Sequence, residues 1–252
     1  LCTDWPPEAE ALARRFWPGP LTLVLPKRPE VPDAVTAGLP TVALRVPSHP
    51  VAAALLRLAG VPVAAPSANR STALSPTSAE HVAAGLGGRV DLLVDAGASP
   101  VGIESAVVDL TGERPILLRP GSLSLERLRE VVPALDTRDQ VPEGNTPRPS
   151  PGMLDRHYAP RTPLRIASAR AWEATLARLP LSRVGALLLA APAEGVAVPL
   201  RMPANADAYA ARLYAALHEL DGAGCEVIVV EEPPASPEWA GVRDRLHRAA
   251  RP

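Results

Sequence analysis

The residues of this sequence that could do chemistry are arginines and hydroxyls set beside strand-like runs. Arg45 ends one such run, in an Arg-Val-Pro setting. Ser67 and Asn69 directly follow another, in a Pro-Ser-Ala-Asn turn. Ser75 precedes Pro76, close to an expected helix start, and Ser105 follows Gly102, Ile103 and Glu104. Arg119 closes a further run just before Pro120 and Gly121. Guanidinium forks match carboxylates and phosphates, and helix N-termini add backbone N–H donors, so together these groups suit an anion. In open α/β sheets ligands lie beside such strand ends. Turn and cap chemistry accounts for any one Ser or Asn taken alone. The set carries the argument.

A second cluster lies at residues 150–160 (SPGMLDRHYAP). No packing period demands Arg156, His157 and Tyr158 in succession there. Two readings stand side by side: a docking segment anchored by Tyr158, and a lid that folds over the first cluster. His81, His218 and His247 fall on expected helices and read as plain surface residues. The chain has no G-x-S-x-G elbow and no H-E-x-x-H pair, so triad and zincin chemistry have no footing. Cys2 and Cys225 give neither a disulfide framework nor zinc spacing.

Short elements must position these residues. Helical spacing of Ala9, Leu12, Ala13 and Phe16 predicts a helix over 6–17, ended by Trp17-Pro18-Gly19-Pro20. Strands are expected at 21–25, 41–46, 61–65, 92–95, 105–110 and 116–119. Helices are expected at 50–58 and 123–132, and another is opened by the capping-box spacing of Thr77 and Glu80. Residues 134–163 lose the apolar period and carry five prolines between 142 and 160, which predicts an extended linker. Beyond it strands at 164–167, 184–190 and 226–230 alternate with helices at 171–179, 206–220 and 237–249. That alternation predicts a small parallel α/β domain. The expected division is therefore 1–135, 136–163 and 164–252. No G-x-G-x-x-G loop is present, and Gly222 and Gly224 precede a strand rather than follow one, so a dinucleotide site is not expected.

Composition narrows the classes. The chain has 252 residues, 47% hydrophobic and 21% charged, an ordinary globular balance that excludes wholesale disorder. Its formal charge of -1 argues against a protein held to nucleic acid by bulk attraction. No apolar run is long enough to span a bilayer, and no signal peptide opens the chain, so a cytoplasmic setting is expected and no membrane partner. Basic residues are 25 Arg and only Lys27, a pattern of GC-rich codon usage. The chain opens with Leu1 rather than Met, which leads to the expectation that an N-terminal part is absent.

Six motifs stand in order: 16–25 (FWPGPLTLVL), 41–50 (TVALRVPSHP), 65–69 (APSAN), 102–105 (GIES), 118–121 (LRPG) and 150–160 (SPGMLDRHYAP). Together they resemble the YrdC-like family, and more narrowly its two-domain threonylcarbamoyl-AMP synthases. Each is weak alone; the ordered set covers almost the whole chain. The resemblance implies a twisted mixed α/β sheet domain, then a linker and a small Rossmann-like parallel α/β domain. It implies a nucleotidyltransferase that makes L-threonylcarbamoyl-AMP and pyrophosphate from L-threonine, bicarbonate and ATP, with Mg2+ accompanying the ATP. The product would feed threonylcarbamoyladenosine modification of tRNA through a downstream transferase complex.

Carried over motif by motif, Thr41, Ser67, Ser75, Arg119 and Tyr158 would contact ATP, and Arg45, Ala65 and Ser105 would surround threonine. Thr41 and Ala65 enter through the resemblance alone. No covalent catalytic residue is implied. Three departures stand out. The family's N-terminal Lys-x-Arg segment has no counterpart, and Lys27-Arg28 is not in its place. The usual Thr after Gly-Ile-Glu-Ser is Ala106. The Gly of an Asn-Arg-Ser-Gly stretch is Thr72. The alternatives are an RNA-binding YrdC-like module without adenylate synthesis, which the charge balance weakens, and a carbamoyl-transfer domain of hydrogenase-maturation type, which lacks zinc-finger cysteines here.

Overall fold

A computed structural model describes residues 1–137 and 158–251. Its elements follow the apolar spacing closely at the start. Helix α1 (Pro7–Phe16) begins on prolines and buries Ala9, Leu12 and Phe16. A cis Trp17–Pro18 peptide follows, and the Trp17 indole N–H donates to the Leu21 carbonyl at 2.7 Å. Next come β1 (Leu21–Pro26), α2 (Asp33–Thr36), β2 (Thr41–Leu44) and α3 (Pro50–Ala59). Helix α4 (Ala79–Leu86) precedes β3 (Ala106–Asp109), β4 (Ile116–Arg119), α5 (Leu125–Arg129) and the short β5 (Asp136–Thr137).

The described residues pack as two units. Residues up to 66, together with those from 104 to 137, form the first. Its sheet runs β2-β1-β3-β4-β5, with β1–β3 and β4–β5 parallel and the other pairs antiparallel. Alternation along β1 sends Leu21, Leu23 and Leu25 to one face, where they meet Leu12, Phe16, Val108, Leu117 and Leu128. Truncating one such leucine to alanine costs roughly 2–5 kcal/mol. The opposite face holds only a small cluster of Val24, Val107 and Leu118, and Thr22 lies on that face by the same alternation.

Two expected strands are not formed. Residues 61–65 and 92–95 carry no regular structure and are exposed, Val61, Val63, Leu92, Leu93 and Val94 among them. β-propensity is mostly packing against paired neighbours, and among the described residues no strand pairs with either run; Pro62 also removes a donor. Helix α3 is likewise apolar yet buries no residue, leaving Leu55 and Leu58 in solvent.

Residues 67–103 and those from 158 onward form the second unit. This grouping departs from the division expected at 135 and 164, because Leu74 and Ile103 sink into the C-terminal core. The sheet here is β6 (Leu164–Ala167), β7 (Val184–Leu188), β8 (Val198–Arg201) and β9 (Val227–Glu231), in the order β6-β9-β7-β8 and parallel throughout. Helix α6 (Trp172–Leu176) covers one face, with Trp172 packed against Val184 and Val229. Helices α7 (Ala206–Gly222) and α8 (Ala240–Ala249) cover the other. The sequence did not announce β8; its Pro199 is tolerated because β8 is an edge strand. Among the described residues no helix is long and apolar enough to cross a membrane.

Candidate functional site

Three of the expected site residues converge in the first unit. Ser105 stands just before β3, which runs parallel to β1 in a register that pairs Leu21 with Ala106. The Ser105 hydroxyl lies 2.7 Å from that of Thr22. From β4, Arg119 donates to the Ser105 carbonyl through Nε at 3.2 Å and Nη2 at 3.1 Å, and Nη2 also reaches the Ser105 hydroxyl at 3.4 Å. Ser105 and Arg119 are only 4% and 6% exposed, so these charge-assisted bonds are shielded from water. Gly121 makes the close approach possible: a Cβ there would fall 2.2 Å from the Ala106 nitrogen.

Arg45 follows Leu44, the β2 residue that pairs with Leu23 of β1. Its Nε–H donates to the Gly19 carbonyl at 3.1 Å, so the Pro-Gly-Pro turn after α1 fixes where the guanidinium starts. Gly19 cannot carry a side chain, since a Cβ would lie 2.3 Å from the Phe16 carbonyl oxygen. Solvent reaches Arg45, yet the protein around it, and then the positive charge of Arg119, lower its pKa. Two neighbouring guanidiniums that raise each other's energy are relieved by an anion. Among the described residues no carboxylate forms an ion pair with Arg45. The arrangement can therefore take a carboxylate at Arg45 and present the Ser105 and Thr22 hydroxyls beside it. Thr22 was missed from sequence, although a lone Thr on the far face of a Leu/Val strand is a readable signal.

Two further expected residues of this unit form no hydrogen bond with the cluster. Thr41 starts β2, four residues from Arg45 and so roughly 13 Å along an extended chain. Ala65 sits exposed in the irregular 61–66 stretch.

Ser67, Ser75 and Tyr158 belong to the second unit. Ser67 is exposed; Ser75 is 6% exposed, just ahead of α4. The cap of α4 is Ser78 rather than Thr77: its hydroxyl accepts from the His81 N–H at 3.4 Å, one residue later than the spacing suggested. Tyr158 is 1% exposed, with φ +61°. Its ring is tilted against Tyr214 at 5.8 Å, under the Arg245 guanidinium at 5.3 Å. Here it acts as an anchor in the C-terminal core. The rest of the expected lid, 150–157, lies outside the described residues. Thr72, in the place of the family's glycine, adopts φ +67° and accepts from the Ala159 N–H at 3.0 Å. That backbone state explains why glycine suits the position.

His81 and His218 are not plain surface residues. They are partly buried and stack face to face, with ring centroids 3.8 Å apart and planes 21° from parallel. No sequence signal links two histidines 137 positions apart. His247 is exposed, as expected. At the strand ends where a parallel sheet usually binds ligands, one carboxylate oxygen of Glu231 accepts from the backbone N–H groups of Leu189, Ala190 and Ala191 at 2.6–2.9 Å. The chain's own carboxylate fills that nest. No group of three or more His, Cys, Asp or Glu among the described residues could hold a metal ion.

Comparison with known proteins agrees with this architecture. Residues 1–121 match the Sua5/YciO/YrdC family, described as "Telomere recombination", and residues 123–251 match the threonylcarbamoyl-AMP synthase C-terminal domain. The chain is 37% identical over 257 residues to a threonylcarbamoyl-AMP synthase of Pyrococcus abyssi, covering 99% of this chain and 76% of that one. It is 48% identical over 162 residues to the Bacillus subtilis threonylcarbamoyl-AMP synthase, covering 64% of this chain and 47% of that one. A crystal structure of P. abyssi Sua5 complexed with L-threonine superposes with a TM-score of 0.91 at 38% identity, over 99% of this chain and 76% of that chain.

Proposed function

The chain belongs to the YrdC-like family, in its two-domain threonylcarbamoyl-AMP synthase branch, and on that premise we propose how its residues serve the reaction. The reaction joins L-threonine, bicarbonate and ATP into L-threonylcarbamoyl-AMP and releases pyrophosphate. Bicarbonate loses water to give CO2, and the threonine amine takes this up as a carbamate with release of a proton. A carbamate oxygen then attacks the α-phosphorus of ATP, breaking its bond to the pyrophosphate that leaves. Nothing in this sequence of steps needs a covalent enzyme intermediate. Positioning and charge stabilisation carry it.

Arg45 binds the threonine carboxylate through its guanidinium fork. Ser105, held by Arg119 and Thr22, faces the amino acid, with Ala65 in the same set. Arg119 therefore acts partly by fixing Ser105, besides its proposed contact with ATP. Thr41, Ser67, Ser75 and Tyr158 complete the nucleotide set. A buried Tyr158 supports a role through the packing of the segment as much as through direct contact. Residues 1–135 supply the reaction chemistry and 164–252 the supporting domain. Among the described residues no group of three or more His, Cys, Asp or Glu stands ready to hold a metal ion by itself; a Mg2+ arriving on the phosphates of ATP would keep several of its own water ligands, and no step is assigned to it. The product passes to a tRNA-modifying transferase, and substrates of this kind fit work in the cytoplasm.

The observation that carries this reading is the buried Ser105–Arg119–Thr22 cluster beside Arg45. It is tested by following pyrophosphate and AMP-linked product with each substrate omitted in turn. Product is expected only when ATP, threonine and bicarbonate are all present. Equal pyrophosphate release without threonine rejects it.

A further inference from the structure

We propose that His218 of α7, stacked on His81, is a positioning residue for the nucleotide site: together they hold the Ser75–Thr77 turn in its ATP-binding form. This rests on the reading of Ser75 as a nucleotide contact. The geometry is specific. His218 Nε2 lies 3.2 Å from the Ser75 carbonyl oxygen, which can only accept, so the neutral ring carries its proton on Nε2. His81 Nδ1 lies 3.3 Å from the Thr77 backbone N–H and 3.4 Å from its hydroxyl. That N–H can only donate, so His81 Nδ1 must be unprotonated. The two rings thus pin both ends of the turn, one by a donor and one by an acceptor, and the stack joins the bonds. Ser75 comes from the part of the chain that matches the Sua5/YciO/YrdC family, and His218 from the part that matches the synthase C-terminal domain, all within one compact unit. The C-terminal domain gains a definite task.

The bond to Thr77 needs a neutral His81, a charged His218 would still donate to Ser75, and two charged rings stacked face to face would repel each other. A proton on His81 Nδ1 would set two donors against each other at Thr77. Burial lowers the pKa of both histidines; for His218 the facing His81 adds to this. On α4, Glu80 opposes the shift of His81. Asp221 on α7 opposes that of His218, while Arg161 reinforces it. The folded pKa therefore lies below the unfolded one, about 6.5. The turn is fully supported above that pH and loses support as pH falls through the folded value.

The test measures kcat and the KM for ATP and threonine across about pH 5.5–8, a window chosen to bracket histidine titration. His218→Phe keeps a flat ring for the stack but offers no N–H to Ser75. It should raise the ATP KM roughly 5–10-fold at neutral pH and leave the threonine KM within about 2-fold, the effect of losing one hydrogen bond. His218→Gln, whose amide can still reach that carbonyl, should restore most of the affinity. His81→Asn can accept from Thr77 but cannot titrate. ATP's own terminal phosphate titrates in the same range, so the readout is the difference between profiles. The extra rise in ATP KM that the wild type shows on acidification should vanish in His81→Asn. A lower melting temperature with ATP KM and pH profile unchanged in all three variants overturns the inference. Ser75→Ala separates the two failures. If it leaves the ATP KM unaltered, the nucleotide reading of Ser75 falls and takes this inference with it. If Ser75→Ala weakens ATP while His218→Phe does not, the inference alone falls.

Discussion

The two sheets of this protein use their surfaces in opposite ways. The parallel sheet of the second unit is covered on both faces, by α6 on one side and α7 with α8 on the other. Its ligand end is filled by Glu231. The mixed sheet of the first unit is packed on one face by α1 and α5. The other face carries a thin apolar cluster, Thr22, and beside it the Ser105–Arg119 pair. On the proposed reading, chemistry belongs to the sheet face that no helix fills, and stability to the sheet packed on both. Buried charge then has two uses: Glu231 closes a loop through three backbone N–H groups, whereas Arg119 is proposed to serve a site.

That contrast makes a kinetic class of variants distinct from a stability class. The largest expected effect is at Arg45. Arg45→Ala should raise the threonine KM by on the order of a hundredfold, about 3 kcal/mol, for a lost charge-assisted fork on a carboxylate. The ATP KM should change far less. Equal changes in both would place Arg45 outside the threonine site. Next is Glu231→Ala, which strands three N–H donors, that of Ala191 buried and those of Leu189 and Ala190 partly so. Unfolding free energy, read by denaturant titration, should fall by about 2–3 kcal/mol. The kinetics of the protein that remains folded should stay unaltered, and a kinetic change would break the contrast between the sheets.

Ser105→Ala should lower kcat/KM for threonine roughly 5–10-fold, about 1 kcal/mol, the usual worth of one hydroxyl hydrogen bond. Thr22→Val should act in the same direction, and the double variant should be less than additive because the two hydroxyls share one bond. The smallest effect is at Thr72. Thr72→Gly relieves a left-handed backbone and should stabilise by about 0.5–1 kcal/mol, with the entropy of glycine taking back part of the gain. Unchanged or lower stability would show that the added backbone entropy of glycine in the unfolded chain equals or outweighs the strain.

By itself, the sequence determined the α/β class, both sheets' main strands and the arginine–serine cluster. Period and punctuation are local: Leu21, Leu23 and Leu25 alternate, Pro6 and Pro7 open a helix, and Trp17-Pro18-Gly19-Pro20 ends it. Arg45, Ser105 and Arg119 stand at strand ends as expected, and the proposed site role rests on that placement. Tertiary structure alone decided the remainder. Residues 61–65 and 92–95 have the composition of strands but no partner among the described residues, and composition cannot supply one. Sequence left Tyr158 between an anchor and a lid residue, because nothing in its neighbours predicts a ring from α7 and a guanidinium from α8. Residues 67–103 joined the C-terminal core because Leu74 and Ile103 find their contacts there, far along the chain. His81 and His218 looked ordinary for the same reason. A stack of two rings, like a buried carboxylate in a backbone nest, is a relation between distant positions, and periodicity records only near ones.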